Sequence, residues 1–293
     1  MSEQTLRIAA PAKVNLYLGV SSEHDERGYH KVKSVMSALE LYDIVQIAPA
    51  KHLSLSCVPE IDSPVEQNTA WLAAKMMEHE FGRDAHIEIT IEKRIPVKSG
   101  LGGGSSDAAA VILALCELWD VDEDDPRVEQ AARAVGADVP FFLYGQTSRL
   151  EGAGDELCEL YPKLELPVVL VQADSEGVST AEAYRNFDEQ PVEAGDLREL
   201  CEGLREQDPK LVVKGLSNNL EPVALRMSDK VSESLAWLKE QPGVLRGLVT
   251  GAGACVYAVC ESDEATQSIA RAAEKKGWWS CATKLTGEGP SLL

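Results

Sequence analysis

Basic residues are scarce in this chain. Its 293 residues hold 28 Lys and Arg against 48 Asp and Glu, a formal charge of −20. A surface that tracks nucleic-acid phosphates needs clustered Lys and Arg, so that class of partner is disfavoured and any anionic ligand has to be held by local features. The acidity itself reads as a solvated, self-repelling surface and points to no partner. Paired cysteines are missing too: Cys57, Cys116, Cys158, Cys201, Cys255, Cys260 and Cys281 form an odd, scattered set with no C-x-x-C pair and no His at metal spacing. They read as reduced cytosolic thiols, mostly core fillers. No run approaches the ~18 apolar residues of a membrane span, and the opening MSEQTLRI lacks a basic region followed by an apolar stretch. Internal repeats and low-complexity segments are absent. The expectation is a cytoplasmic enzyme with neither membrane nor nucleic acid among its partners, and nothing here speaks to oligomeric state.

A hydrophobic content of 44% over this length suffices for two cores at ~100–200 residues per domain. In HIEITIEKRIP, Ile87, Ile89 and Ile91 alternate with the period of a half-buried strand, which Pro96 closes. The segment KSGLGGGSSD follows, and then Ile112, Leu115, Leu118 and Trp119 recur at helical spacing. Ser105, Ser106 or Asp107 is expected to cap that helix. A second helix is predicted after Asn68, through WLAAKMMEHEF, and the acidic run DVDEDDP at 120–126 reads as an exposed loop. Between residues 162 and 177 two prolines, a strand-like VVLVQ and a Gly-containing turn change the character of the chain. A boundary there divides it into residues 1–162 and 163–293. The second part is predicted to carry helices near 180–187, 194–205, 228–240 and 263–276, and strands near 167–172, 246–250 and 255–260. That order implies an α+β layer structure.

The most informative stretch is PVKSGLGGGSSD, Pro96 to Asp107. Clustered glycines let backbone amides approach a phosphate with no β-carbon in the way. A helix N-terminus comes next, so unpaired amides and the positive end of the helix dipole converge on one point, an anion site suited to polyphosphate. The P-loop pattern fails because no Lys follows these glycines, and the dinucleotide pattern fails because Ser105 stands where its third Gly belongs.

The spacing P-x-x-x-G-L-x-x-x-S-S-x-A resembles the phosphate-binding motif of the GHMP kinase superfamily, and GLGGGSSDAA resembles its form in the diphosphocytidyl-methylerythritol kinases. Further segments match in the same order: PAKVNLYL at 11–18, RGYHKVKS at 27–34, VGADVPFFLYG at 135–145, GVSTAEAYRNFD at 177–188 and LVTGAGACVYAV at 248–259. The match is weaker between residues 190 and 215. The resemblance implies a two-domain architecture with the nucleotide loop at a helix N-terminus in the first domain and the substrate cleft between domains.

It also implies roles. Lys13 and Asp138 become the catalytic pair. Pro96, Val97, Lys98, Ser99, Gly100, Leu101, Gly102, Gly103, Gly104, Ser105 and Ser106 form the ATP loop, and Asn68 faces adenine. Asn15, Tyr29, His30, Thr180, Tyr184, Gly251 and Gly253 fall on the substrate side, with Tyr29 and His30 closing on a cytosine ring. The partner implied is a cytidine-diphosphate small molecule whose 2-hydroxyl receives the γ-phosphate of ATP. No carboxylate cluster reads as a metal cage, so Mg²⁺ is expected to arrive on ATP, with Ser106 the first protein oxygen for it. Taken alone, Lys13 reads as a snorkelling strand lysine and Asp138 as a turn or cap aspartate. Their coincidence with the loop is what favours chemistry. Thr250, Ala252 and Cys255 depart from the S-G-S-G-A-T form of the family, and Tyr144 stands where many relatives are basic. Lys98 either adds charge at the phosphates or points to solvent. The remaining alternatives are a homoserine, mevalonate or sugar kinase of the superfamily, and a non-catalytic ligand sensor.

Overall fold

The structure is a computed structural model that describes residues 5–173 and 177–293. The opening residues of the N-terminal segment, and three residues of the turn read after VVLVQ, lie outside it. The chain begins with two long antiparallel strands, β1 (Leu6–His24) and β2 (His30–Pro49), followed by β3 (Ser54–Val58), α1 (Thr69–Phe81), β4 (Ile87–Glu92), α2 (Gly103–Trp119), α3 (Pro126–Val135), α4 (Val139–Tyr144), β5 (Ser148–Glu151) and β6 (Glu156–Leu160). It continues through β7 (Pro167–Gln172), α5 (Thr180–Glu189), α6 (Arg198–Glu206), α7 (Pro209–Gly215), β8 (Ser217–Asn218), α8 (Glu221–Met227) and α9 (Asp229–Lys239). It ends with β9 (Val244–Val249), β10 (Val256–Cys260), α10 (Asp263–Glu274), β11 (Trp279–Lys284) and β12 (Ser291–Leu292).

The first sheet runs β12-β1-β2-β4-β3, with β8 joining β1 and β5 and β6 extending from β2. The second sheet is β11-β7-β10-β9. Helices α1 to α4 cover one face of the first sheet, where Ile87, Ile89 and Ile91 meet Ala73, Met77 and Ala108 to Ala110. The second sheet packs Val169, Val171, Val256 and Ala258 against Leu235, Ile269 and Ala273. A third cluster joins the sheets: Ala12, Val14 and Leu16 of β1 meet Val168, Leu170, Tyr257 and Val259. Strand β1 is therefore buried on both faces, and Lys13 and Asn15 are each only 4% exposed. Polar side chains in such a strand have to find partners. Among the described residues no helix is long and apolar enough to cross a membrane.

Most predicted elements appear within a residue or two of their expected bounds, including α1, β4, α5, β7, α9, β9, β10 and α10. Three expectations are corrected. Helix α2 starts at Gly103, with Gly102 at the N-cap in the left-handed region at φ 72°, so Ser105, Ser106 and Asp107 lie inside its first turns and do not cap it. A glycine with positive φ turns the chain into the helix earlier than a side-chain cap does. Helix α6 starts at Arg198, four residues later than expected, because Asp196 accepts the Arg198 amide at 3.0 Å and sets the first turn there. The acidic run is an exposed loop only as far as Asp125, whose carboxylate caps α3 through the Arg127 amide with Pro126 in the first turn.

Candidate active site

Asp138 occupies the N-cap position of α4, yet its carboxylate makes no capping bond. It faces Lys13 instead, with Lys13 Nζ 3.4 Å from Asp138 Oδ2. The Lys13 side chain is 5% exposed and that of Asp138 38% exposed, so the carboxylate meets the cavity while the ammonium is held from behind. Lys13 Nζ donates to Asn15 Oδ1 at 2.7 Å, Asn15 Nδ2 donates to Ser34 Oγ at 3.0 Å, and Ser34 Oγ donates to the Tyr17 carbonyl at 3.3 Å. Alternation along β1 puts the side chains of Lys13 and Asn15 on one face, and a bulge between Asn15 and Tyr17 leaves the Tyr17 carbonyl to accept the last bond of the chain. The polar residues of PAKVNLYL thus form one satisfied network that ends on an exposed carboxylate.

The glycine loop lies directly against this network. The Lys13 amide donates to the Leu101 carbonyl at 2.8 Å. Ser99 Oγ donates to the Pro96 carbonyl and accepts the Leu101 amide, so Pro96, Ser99 and Leu101 build the loop from within. The first i→i−4 bond of α2 runs from the Ser106 amide to the Gly102 carbonyl at 2.9 Å. The amides of Gly103, Gly104 and Ser105 precede it and have no helical partner, which leaves them free for an anion at the helix N-terminus. Val97 and Lys98 are exposed, and Lys98 takes a positive φ of 54°. The loop is fastened to the second half of the chain through Thr250. Its Oγ1 accepts the Asn15 amide and donates to the Gly100 carbonyl, both at 3.3 Å, and the Cys255 amide donates to the Ser99 carbonyl at 3.0 Å. A hydroxyl therefore survives at Thr250, the position where the sequence departs from serine.

Beside the loop opens a cavity of 740 Å³, within the usual size of small-ligand sites, ~300–1,000 Å³. It is lined by Lys13, Asn15 and Asp138, by Gly100, Gly102 and Ser105, by Tyr29, His30, Thr180 and Tyr184, and by Gly251. The His30 Nδ1–H donates to the Ser21 carbonyl at 2.8 Å, which orients the ring, and Nε2 lies 3.4 Å from Asp188 Oδ2. The ring centroids of His30 and Tyr184 are 5.0 Å apart. Burial first, and then the charge of Asp138, push the Tyr184 hydroxyl up to about 12, so it stays a neutral donor.

Residues 68–146 match the family described as GHMP kinases N terminal domain, and residues 193–278 match GHMP kinases C terminal. A 4-diphosphocytidyl-2-C-methyl-D-erythritol kinase of Rhodococcus jostii (strain RHA1) is 34% identical over 292 residues, covering 97% of this chain and 92% of its own. One from Pelotomaculum thermopropionicum is 36% identical over 265 residues, covering 89% and 91%. The chain belongs to the 4-diphosphocytidyl-2-C-methyl-D-erythritol kinase family of GHMP kinases. A crystal structure of 4-(cytidine 5'-diphospho)-2C-methyl-D-erythritol kinase matches with a TM-score of 0.79 at 30% identity, over 96% of this chain and 100% of that one. Homoserine kinase from Cytophaga hutchinsonii matches with a TM-score of 0.72 at 19% identity, over 100% and 99%, and shares the fold.

Not every residue singled out in this GHMP kinase reaches the cavity. Asn68 accepts the Ala70 amide at 2.9 Å as the N-cap of α1 and donates to Cys57 Sγ at 3.7 Å, apart from the lining. Gly253 lies behind Ala252, which does line it. Tyr144 donates to Glu129 Oε1 at 2.9 Å, within an ion pair of Glu129 with Arg133. Ser34 and Asn218 have no role in the sequence reading, and Thr250 is marked there only as a departure from the family's serine. Asn218 Nδ2 donates to the Val249 and Gly251 carbonyls, each at 2.8 Å, and so holds the C-terminal glycine turn. A lone Asn in KGLSNNLE gives no signal of that role, because both acceptors lie some thirty residues away.

Proposed function

We propose that this chain transfers the γ-phosphate of ATP to the 2-hydroxyl of 4-diphosphocytidyl-2-C-methyl-D-erythritol. One observation carries the reading: Lys13 and Asp138 stand 3.4 Å apart in a cavity that also contains Gly102 and Ser105 of the loop and the ring groups of Tyr29, His30 and Tyr184. Family membership supports the ATP-dependent kinase class, and the names of the relatives support the substrate.

In phosphoryl transfer, catalysis is chiefly positioning and electrostatic stabilisation. The free amides of Gly103 to Ser105 grip the phosphate tail. Asp138 accepts the proton of the attacking hydroxyl, and Lys13, fixed by Asn15, orients that carboxylate and offsets the growing negative charge. Tyr184 and His30 hold the cytosine by its face and edge, with Tyr29, 60% exposed, free to close from the other side. Mg²⁺ bound to ATP supplies charge neutralisation of the phosphates. The residues fit it as a hard, oxygen-seeking cation: Ser106 Oγ is buried without a hydrogen-bond partner and is the protein oxygen we assign to it. We also place the domain division at residues 162 and 163, a reading supported by the start of the second sheet at Pro167.

Purified protein with ATP and Mg²⁺ should phosphorylate diphosphocytidyl-methylerythritol and leave homoserine and mevalonate untouched. Turnover only on the latter two compounds overturns the substrate assignment, and absence of any transfer overturns the kinase assignment.

A further inference from the structure

Beneath the glycine loop lies a buried group that the catalytic reading does not use. Lys93, at the end of β4, bridges Asp43 of β2 and Asp107 of α2, and the three side chains are 8%, 0% and 3% exposed. Lys93 Nζ donates to Asp107 Oδ2 at 2.7 Å and also to Asp43 Oδ2. Asp43 Oδ1 accepts the amides of Arg94 and Ile95 at 2.5 and 2.8 Å, fixing the turn by which the chain leaves β4 for the loop. A β-carbon on Gly103 would fall 3.4 Å from Asp43 Oδ2, so the loop rests directly on this carboxylate. Asp107 follows the loop in the opening turns of α2, and its Oδ1 is buried without a partner. Two acids on one base form a poor stabilising device, because apolar side chains of similar size usually serve a core as well or better. Their place at both ends of the loop suggests another use.

Resting on the kinase reading above, we propose that Asp43, Lys93 and Asp107 are positioning residues that hold the two ends of the phosphate loop. Asp43 fixes the entry to the loop through the Arg94 and Ile95 amides, Asp107 anchors the opening turns of α2 on its far side, and Lys93 ties the two carboxylates together.

The test is KM for ATP and for the cytidine substrate, with direct titration of a fluorescent ATP analogue onto the full chain. Lys93→Met should raise KM for ATP at least about tenfold with the cytidine KM unchanged, and adding Asp107→Asn to it should recover part of the loss. A Lys93→Met protein that loses thermal stability with an unaltered KM for ATP, or one whose KM for ATP and for the cytidine substrate rise together, overturns the inference. Failure of the wild-type chain to bind the nucleotide overturns the kinase reading along with it.

Discussion

Gly102 packs against Lys13 so closely that a β-carbon on the glycine would fall 2.9 Å from Lys13 Cγ and 3.1 Å from Cε. The glycine that turns the chain into α2 therefore also sets where the ammonium group stands. Gly102→Ala meets two penalties, a side chain at φ 72° and a clash with the buried lysine stem. We expect a stability loss of ~1–3 kcal/mol by denaturant titration and a fall in kcat/KM of ~10²-fold, since small displacements of a reacting group are costly. A variant with wild-type kinetics would show that loop and lysine are not coupled.

Asp138 separates catalysis from folding more cleanly. Its carboxylate is partly exposed and caps nothing, so Asp138→Asn should leave the thermal midpoint within a degree or two. The same change should cut kcat by ~10²–10⁴-fold, with KM for ATP little altered. An unchanged rate removes Asp138 as the base.

How much of this arrangement the sequence discloses depends on the reach of each contact. The glycine loop, the helix after it and the Ile87 to Ile91 strand are local patterns, and they appear where periodicity places them. Lys13 and Asp138 can be paired only through resemblance, because they stand 125 positions apart and each type has a common structural use. Asn218 and the Asp43–Lys93–Asp107 bridge act across separations that leave no spacing to read, and Thr250 is marked only by standing where the family has serine. The start of α2 differs from its expected place for another reason: serine and aspartate caps are the usual signal, and here a left-handed glycine takes their place.

Thr250 offers a test of that long-range fastening. Its hydroxyl is fully buried and serves Asn15 and Gly100 at once. Thr250→Ser keeps the hydroxyl and should retain most activity. Thr250→Val fills the same volume but strands the Asn15 amide and the Gly100 carbonyl, at a cost of ~1–3 kcal/mol for each group left unpaired. Activity and thermal denaturation of the two variants, measured side by side, check this. Equal behaviour of Ser and Val at this position would assign Thr250 to packing alone.

The loop that presents Tyr29 is held by charge and should respond to acid. Arg27 Nη1 lies 3.0 Å and Arg133 Nη1 3.2 Å from Asp155 Oδ2. Burial alone would raise the Asp155 carboxyl, yet the hydrogen bond from Arg27 and the two guanidinium charges hold it below the usual carboxylate range. A lowered acid contributes stability that is present above its unfolded value near pH ~4 and is lost as pH falls through the folded value. Asp155→Asn should therefore cost ~1–2 kcal/mol at pH 7, reduced by the exposure of both arginines, and the gap to wild type should shrink progressively as pH falls below about 4. A gap of constant size from pH 7 down through the acid range would mean that packing, not charge, is lost.

Tyr184 decides whether the ring-lined end of the cavity takes a base. The His30 ring lies 5.0 Å from that of Tyr184 and 6.1 Å from that of Phe187, so the three rings brace one another while the outer face of Tyr184 meets the cavity. Stacking of a base on such a face is worth ~1–3 kcal/mol, which corresponds to a ~5–150-fold rise in KM for the cytidine substrate in Tyr184→Ala. Tyr184→Phe keeps the face and loses only a hydroxyl that stays protonated, so it should remain close to wild type. Because the loop lies elsewhere in the cavity, KM for ATP should move in neither variant. A Tyr184→Ala protein that loses ATP affinity instead would put the nucleotide at this end and reverse the orientation of both substrates.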